Sequence, residues 1–136
     1  MFYKEANRVL KRNSIIAAWA YGLPTISPGV DEIISRYHYQ TIGDYWLPEN
    51  KYSEQGYATI PFPYPQISTP EFYYRQSMSP DDLLGYLNTW SATQRFIDTN
   101  KFNPTAQLRN DLIAAWGDPG SEKIVTWKLM LKVGRV

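Results

Sequence analysis

The opening of the chain constrains its fold most strongly, because a helical pattern leads almost directly into a short apolar run. Residues 15–19 are continuously apolar and end in a turn that contains Gly and Pro, as expected of a strand covered on both faces in a parallel α/β sheet. Such a strand needs neighbours. Since none precedes it, we expect the rest of the chain, or another chain, to supply them, or the chain to lack them. The helical pattern is carried by Phe2, Tyr3, Ala6, Val9 and Leu10.

Composition excludes several classes of protein. The 136 residues are 43% apolar and 20% charged, which predicts one globular domain over residues 1–136, divided into 1–22, 23–120 and 121–136. A net charge of +1 gives no electrostatic reason for binding nucleic acid or an anionic membrane. The absence of cysteine and the single histidine exclude disulfides, thiolate metal sites and multi-histidine centres within one chain. With no spanning segment or signal-peptide pattern, we expect a cytoplasmic protein.

Patterning predicts further elements along the chain. Ser27 and Pro28 are a typical helix start, and so are Ser79 and Pro80. Another helix is predicted to start at Asn103, with strands over 71–77 and 124–136, the last one alternating between apolar and polar residues. One helical face is predicted to carry Leu83, Leu84, Leu87, Trp90 and Gln94. Residues 43–70 contain many prolines and aromatic rings, so an ordered aromatic loop is predicted there rather than regular structure.

Several motifs in this order resemble the C-terminal part of class I S-adenosylmethionine-dependent methyltransferases. The first motif is Phe2-Tyr-x-Glu-x-x-Arg-Val-Leu-Lys11, followed by a strand ending Trp19-Ala-Tyr-Gly22. Gly85-Tyr-Leu-x-Thr-Trp-Ser-Ala92 and the closing Trp127-x-Leu-x-Leu-x-Val-Gly-Arg135 resemble the branch that includes trans-aconitate methyltransferase-like proteins. The turn after Lys11 departs from that pattern, because relatives usually have Pro-Gly where this chain has Arg12-Asn13.

The resemblance implies a fold and an absence. It implies an α/β architecture, as an α+β fragment with a three-stranded mixed sheet like the C-terminal half of the Rossmann-like methyltransferase fold. The strand order would be 15–19, the C-terminal strand and 71–77, beside a helical and aromatic cap. The cofactor, S-adenosylmethionine, is held in this family by a Gly-rich turn in the first half of the sheet. None of the eight glycines here forms such a cluster, so we expect no cofactor-binding residue in this chain.

Four residues are candidates for binding a small-molecule substrate, and each has a structural alternative. Tyr21 follows a predicted strand at the edge where α/β sheets bind ligands, but it could simply pack in a loop. His38 could be a general base or a histidine at the surface or edge of the core. Trp90 and Gln94 lie one helical turn apart; Trp90 fits the core better, and Gln94 is the better polar candidate. No catalytic residue is identified, and Asp81 with Asp82 is better explained as helix capping.

Three functions remain open at this point. The chain could be the substrate-side part of a methyltransferase, completed by a partner that carries the cofactor half. It could instead be a dimeric binding protein for a small organic acid or another ligand, or an inactive truncated remnant. In each case the uncovered edge of the strand at 15–19 would favour a homodimer or a complementary half, because open apolar edges invite pairing.

Overall fold

The computed structural model describes residues 2–136, so Met1, at the head of the predicted opening helix, lies outside the described residues. A π-helical turn at Tyr37–Thr41 and a 3₁₀ turn at Gly43–Tyr45 lie between the second and third helices. In the described part of the chain, no helix is both long and apolar enough to cross a bilayer. In chain order the elements are α1 (Phe2–Val9), β1 (Ile15–Tyr21), α2 (Pro28–Arg36), α3 (Asn50–Glu54), β2 (Phe72–Met78), α4 (Pro80–Asn88), α5 (Ser91–Asn100), α6 (Thr105–Trp116) and β3 (Lys123–Arg135).

The three strands form one sheet in the order β1-β3-β2, which confirms the strand order implied by the resemblance. β1 pairs antiparallel with β3, in a register that places Ile15 opposite Arg135 and Tyr21 opposite Leu129. The expected mixed sheet is therefore antiparallel where β1 and β3 meet. β1 forms one edge of the sheet within the described residues.

β1 differs from the prediction of a strand covered on both faces. Its side chains alternate between exposed and half-buried along the whole strand. Ile15, Trp19 and Tyr21 are 48%, 61% and 56% exposed, whereas Ile16 and Ala18 on the other face are half-buried. An apolar run predicts burial only if elements cover both faces, and in this chain the face that carries the odd-numbered side chains lies open.

The chain forms two compact units, which are described separately. The first contains residues 2–22, 51–73 and 128–136, and the second contains residues 23–50 and 74–127. The division into 1–22, 23–120 and 121–136 made from the sequence stays a prediction.

In the first unit the aromatic loop packs on α1 and on the end of β3. The Tyr64 hydroxyl donates to Asn7 Oδ1 at 2.9 Å, and the Tyr3 hydroxyl donates to the Pro61 carbonyl at 2.6 Å. Gly134 lies so close to the loop that a Cβ there would be 2.7 Å from both Phe62 Cε1 and Tyr64 Cβ. This part of the loop is thus ordered by its rings, and a glycine in β3 makes the close approach possible. The prediction that residues 43–70 lack regular structure is wrong at two places, because Gly43–Tyr45 form a 3₁₀ turn and Asn50–Glu54 form α3.

In the second unit, α2, α4 and α6 enclose the main hydrophobic core. Their apolar faces recur at spacings of three and four, as the sequence predicts. Asn103 Oδ1 accepts a hydrogen bond from the Thr105 backbone at 2.9 Å and so caps the start of α6. The buried core residues are Val30, Ile33, Ile34, Tyr37, Ile42, Leu83, Leu87, Ala92, Leu108, Leu112 and Trp116.

Two helix starts show how local side chains define the elements. At α4, Ser79 and Asp82 form a complete capping box, as their positions predict. At α2, Ser27 precedes the helix, but its hydroxyl makes no capping hydrogen bond. Asp31 Oδ1, in the first turn, accepts from the Ile26 backbone at 2.7 Å, so it ties the segment before the helix to the helix start and does not replace the bond expected from Ser27.

The predicted continuous face from Leu83 to Gln94 is wrong, because the chain breaks into two helices. Trp90 adopts an extended conformation between α4 and α5. Two side chains of α5 then satisfy the last carbonyls of α4: Thr93 Oγ1 donates to the Leu87 carbonyl at 2.9 Å, and Gln94 Nε2 donates to the Asn88 carbonyl at 2.6 Å. These bonds stabilise a helix end that hydrophobic spacing alone does not reveal.

Candidate functional site

The most elaborate side-chain arrangement in the second unit surrounds His38. We call it the His38 cluster and define it as His38, Tyr39, Trp46 and Trp90. The imidazole lies with its ring centre 4.8 Å from that of Trp46 and 5.5 Å from that of Trp90, and the two indoles are 5.7 Å apart. Tyr39 meets the imidazole edge-on at 4.6 Å. His38 is only 6% exposed, so it lies in the core rather than at the surface, and a role as general base stays a prediction.

The backbone places His38 through a π-helical turn that continues α2. The turn spans Tyr37–Thr41, and the Ile42 backbone N–H donates to the Tyr37 carbonyl at 3.0 Å. Such turns shift side chains relative to an ordinary helix and occur often at functional sites. Here the turn buries Tyr37 and His38 side by side and leaves Tyr39 exposed. Trp46 Nε1 donates to the His38 carbonyl at 3.3 Å and thereby ties the next turn of chain to this one.

The tyrosine beside His38 is fixed by a polar pair. The Tyr37 hydroxyl and Thr93 Oγ1 are 2.8 Å apart in the buried core. Burial raises the pKa of the Tyr37 phenol, and the hydrogen bond with Thr93 opposes that shift in part. Tyr37 therefore stays neutral over the physiological range and serves as a rigid wall beside Trp90, whose ring centre lies 6.2 Å away.

The aromatic contacts extend beyond the His38 cluster. Tyr86 meets Trp90 edge-on at 5.7 Å and Trp127 edge-on at 5.4 Å, and Trp127 Nε1 donates to the Tyr86 hydroxyl at 3.2 Å. Tyr74 lies 5.4 Å from Trp127 on the sheet. These rings can stack against flat or apolar ligand groups. None of the residues is Asp, Glu, Lys or Arg, so stacking is favoured over ion pairing.

The four residues predicted to bind substrate are only partly brought together. His38 and Trp90 touch each other. Gln94 follows Trp90 by one turn but lies exposed, with its amide donating to the Asn88 carbonyl. Tyr21 belongs to the first unit, where it is exposed at the carboxyl end of β1. Trp90 packs against other rings, and none of these contacts tests a role in substrate binding, so the four residues stay predictions.

Sequence reasoning missed the part played by Trp46 and Tyr86. Trp46 stood among many rings of the proline-rich segment, and Tyr86 lay inside a helical pattern. No spacing rule identifies them, because a π turn and a helix break decide which rings meet. The only available signal was the concentration of aromatic residues.

The described residues do not fit S-adenosylmethionine in the way that the resemblance implies for its binding. The only glycine that directly follows a strand is Gly22, and Leu23 and Pro24 come after it rather than a Gly-rich turn into a helix. β1 ends at Tyr21 and β2 at Met78, so neither carries a carboxylate at its end for ribose hydroxyls. Residues 2–136 also contain no group of three or more His, Cys, Asp or Glu side chains that could hold a metal ion.

Comparison with known proteins connects the chain to methyltransferases. No family model matches it. A Dictyostelium discoideum protein named "putative methyltransferase" is 31% identical over 119 residues, which are 85% of this chain and 45% of that protein. A solved structure from Anaeromyxobacter dehalogenans, described as a "putative type II methyltransferase", is 35% identical with a TM-score of 0.89, over 98% of this chain and 57% of the other. The chain thus has a methyltransferase relationship and spans about half the length of these relatives.

Proposed function

We propose that this chain is the C-terminal, substrate-side part of an S-adenosylmethionine-dependent methyltransferase that acts on a small molecule, in the trans-aconitate methyltransferase-like branch. The observation that carries the proposal is the similarity to the Anaeromyxobacter structure, at 35% identity over 98% of this chain. The relatives extend well beyond the aligned part, which leaves room in them for a cofactor-binding half.

The exposed edge and face of β1 support the proposal that a second half binds the cofactor. Strand pairing occupies one edge of β1, and the face that carries Ile15, Trp19 and Tyr21 is exposed. An exposed apolar strand edge is unfavourable unless another strand or an element covers it. A complementary half that carries the cofactor would pair with this edge and cover this face.

The chain's own contribution to the reaction would be to bind and position the methyl acceptor. Placing two reactants in line removes a large entropic part of the barrier and needs few acid or base groups. We propose Gln94, which is exposed in the second unit, as the residue that contacts the acceptor. The His38 cluster, which includes Trp90, would hold the surrounding surface of the second unit rigid.

The test is complementation. The chain is expressed alone and together with a separate polypeptide that corresponds to the part of the Anaeromyxobacter protein outside the alignment, and binding of S-adenosylmethionine is measured by calorimetry. We expect saturable binding by the complex and none by this chain alone. Tight binding by this chain alone, or failure of the two polypeptides to associate, would contradict the proposal.

A matched variant makes the test specific to the proposed edge. Trp19→Glu places a charge on the open face of β1, where the side chain is 61% exposed and its removal costs little packing. Ile124→Glu, at a 55% exposed apolar position of β3 in the second unit, is the control. Association should be lost with Trp19→Glu and kept with Ile124→Glu.

A further inference from the structure

A cavity of about 300 Å³ lies in the first unit. It opens between α1, β1 and the aromatic loop, and its wall is almost entirely apolar. Its volume is at the lower end of the range of small-molecule sites. It is lined by Phe2, Tyr3, Ala18, Tyr57, Ile60, Phe62 and Lys132.

The hydroxyls of the two tyrosines in the cavity wall both donate to backbone carbonyls. The Tyr3 hydroxyl donates to the Pro61 carbonyl at 2.6 Å, and the Tyr57 hydroxyl donates to the Trp19 carbonyl at 3.2 Å. Both phenolic protons are therefore used within the protein. The surface left for a ligand is aromatic and aliphatic. Phe62, which meets Tyr3 edge-on at 6.4 Å, belongs to the same wall.

Lys132 is the one charged residue among the described residues that line the cavity. It projects from the same face of the sheet as Ala18, its cross-strand neighbour, and is half-buried. Its ammonium donates to the Ile60 carbonyl at 3.3 Å, and it forms no ion pair with any described carboxylate. An ammonium carries three donors, so donors remain for an acceptor inside the cavity.

We propose that this cavity binds a small monocarboxylate with an apolar body, such as a medium-chain fatty acid or an arylalkanoate. The carboxylate would accept hydrogen bonds from Lys132, and the chain or ring would lie between Tyr3, Tyr57 and Phe62. The charge complementarity is specific, since a cation in an otherwise apolar wall favours an anion over a neutral or cationic ligand. This site does not depend on methyl transfer and would exist in the chain by itself.

The experiment compares two ligands of equal shape and different charge. The purified full chain is titrated with sodium octanoate and, separately, with 1-octanol, using ligand-observed NMR and calorimetry. We expect saturable octanoate binding that is at least about tenfold tighter than octanol binding, the factor that one charge-assisted hydrogen bond typically supplies.

Two variants and a control localise the binding. Lys132→Met keeps the length of the side chain and removes its charge, so it should abolish the preference for octanoate over octanol. Ala18→Leu should fill the cavity and weaken both ligands. Lys128→Met changes a lysine on the same strand that is paired with Glu71 outside the cavity, and it should leave octanoate binding unchanged.

Three results would overturn the proposal. One is equal affinity for octanoate and octanol in the original chain, and another is octanoate binding that survives Lys132→Met unchanged. The third is the absence of saturable binding while circular dichroism shows the chain folded.

Discussion

At the scale of single residues, Gly134 shows how one missing side chain determines the packing of a long segment. Its partners are the aromatic loop side chains Phe62 and Tyr64, and Tyr64 is buried to 8% exposure. Segment 65–67 continues along β3 there, with the Ile67 N–H donating to the Val133 carbonyl at 2.8 Å. A glycine is thus required by close approach, and not by backbone conformation.

Gly134→Ala should destabilise the chain by about 1–3 kcal/mol, because the added methyl group clashes with Phe62 and Tyr64 and forces them away from β3. Gly85→Ala is the matched control: Gly85 lies in α4, nothing is within 4 Å of its hypothetical Cβ, and alanine is the better helix former. Urea unfolding followed by circular dichroism measures both. A loss of stability in Gly85→Ala as large as that in Gly134→Ala would contradict this explanation.

The capping box of α4 gives a residue-level prediction of pH dependence. Asp82 accepts hydrogen bonds from the Ser79 hydroxyl at 2.6 Å and the Ser79 backbone N–H at 2.9 Å, and these lower the pKa of its carboxyl below the ordinary value of 3.8. Since the folded pKa is depressed, this stabilisation is complete above the unfolded value and is lost as the pH falls through the folded value.

Asp82→Asn should therefore lower the unfolding temperature near neutral pH, and the difference from the original chain should shrink toward pH 2. Thermal unfolding at a series of pH values measures it. Ser79→Ala removes the hydroxyl donor and keeps the backbone N–H, so adding Asp82→Asn to it should have a smaller effect than Asp82→Asn alone. A difference that is constant with pH would show that the charge is not involved.

At the scale of elements, the burial of β1 differs from what its apolar sequence predicts. Its odd-numbered side chains face out together with those opposite them on β3, where Trp19 pairs with Leu131 and Ala17 with Val133. Ile15, Trp19 and Tyr21 therefore expose apolar surface together on one face beside a strand edge, and exposed apolar patches mark interaction sites.

We expect the chain alone to self-associate through this surface. Light scattering after size-exclusion chromatography at low micromolar concentration should show a dimer, and Trp19→Glu should convert it to a monomer without loss of helical content. A stable monomer of the original chain under these conditions would refute the expectation.

At the scale of the whole molecule, the chain spans about half the length of its relatives: 45% of the Dictyostelium protein and 57% of the Anaeromyxobacter chain. The dimer edge expected for this chain and the edge proposed for a cofactor-binding half are the same β1 surface. The two forms of assembly should therefore exclude each other.

Adding the complementary polypeptide should replace the homodimer by a one-to-one complex. Light scattering measures the molar mass, and a band shift in native electrophoresis gives an independent readout. A ternary species with two copies of this chain and one of the partner would contradict a shared edge.

The sequence by itself determined the elements whose signals are local. The helix starts at Ser79 and Asn103 follow from side chains within a few residues of them. The alternation predicted for β3 appears in the burial of residues 123–128 only, because residues 129–133 are all half-buried. The strand order was implied by the resemblance rather than by spacing, and the structure shows that same order, β1-β3-β2.

Only the tertiary structure decided which residues meet. The burial of His38 against Trp90 and the cavity beside Lys132 depend on contacts between segments far apart in sequence. The break at Trp90 is stabilised by side chains only six residues from the carbonyls to which they donate, and hydrophobic spacing does not reveal it. β1 illustrates the physical reason. Its apolar run predicts a preference for burial, but whether a face is buried depends on which elements lie over it, and that is a property of the fold and its partners.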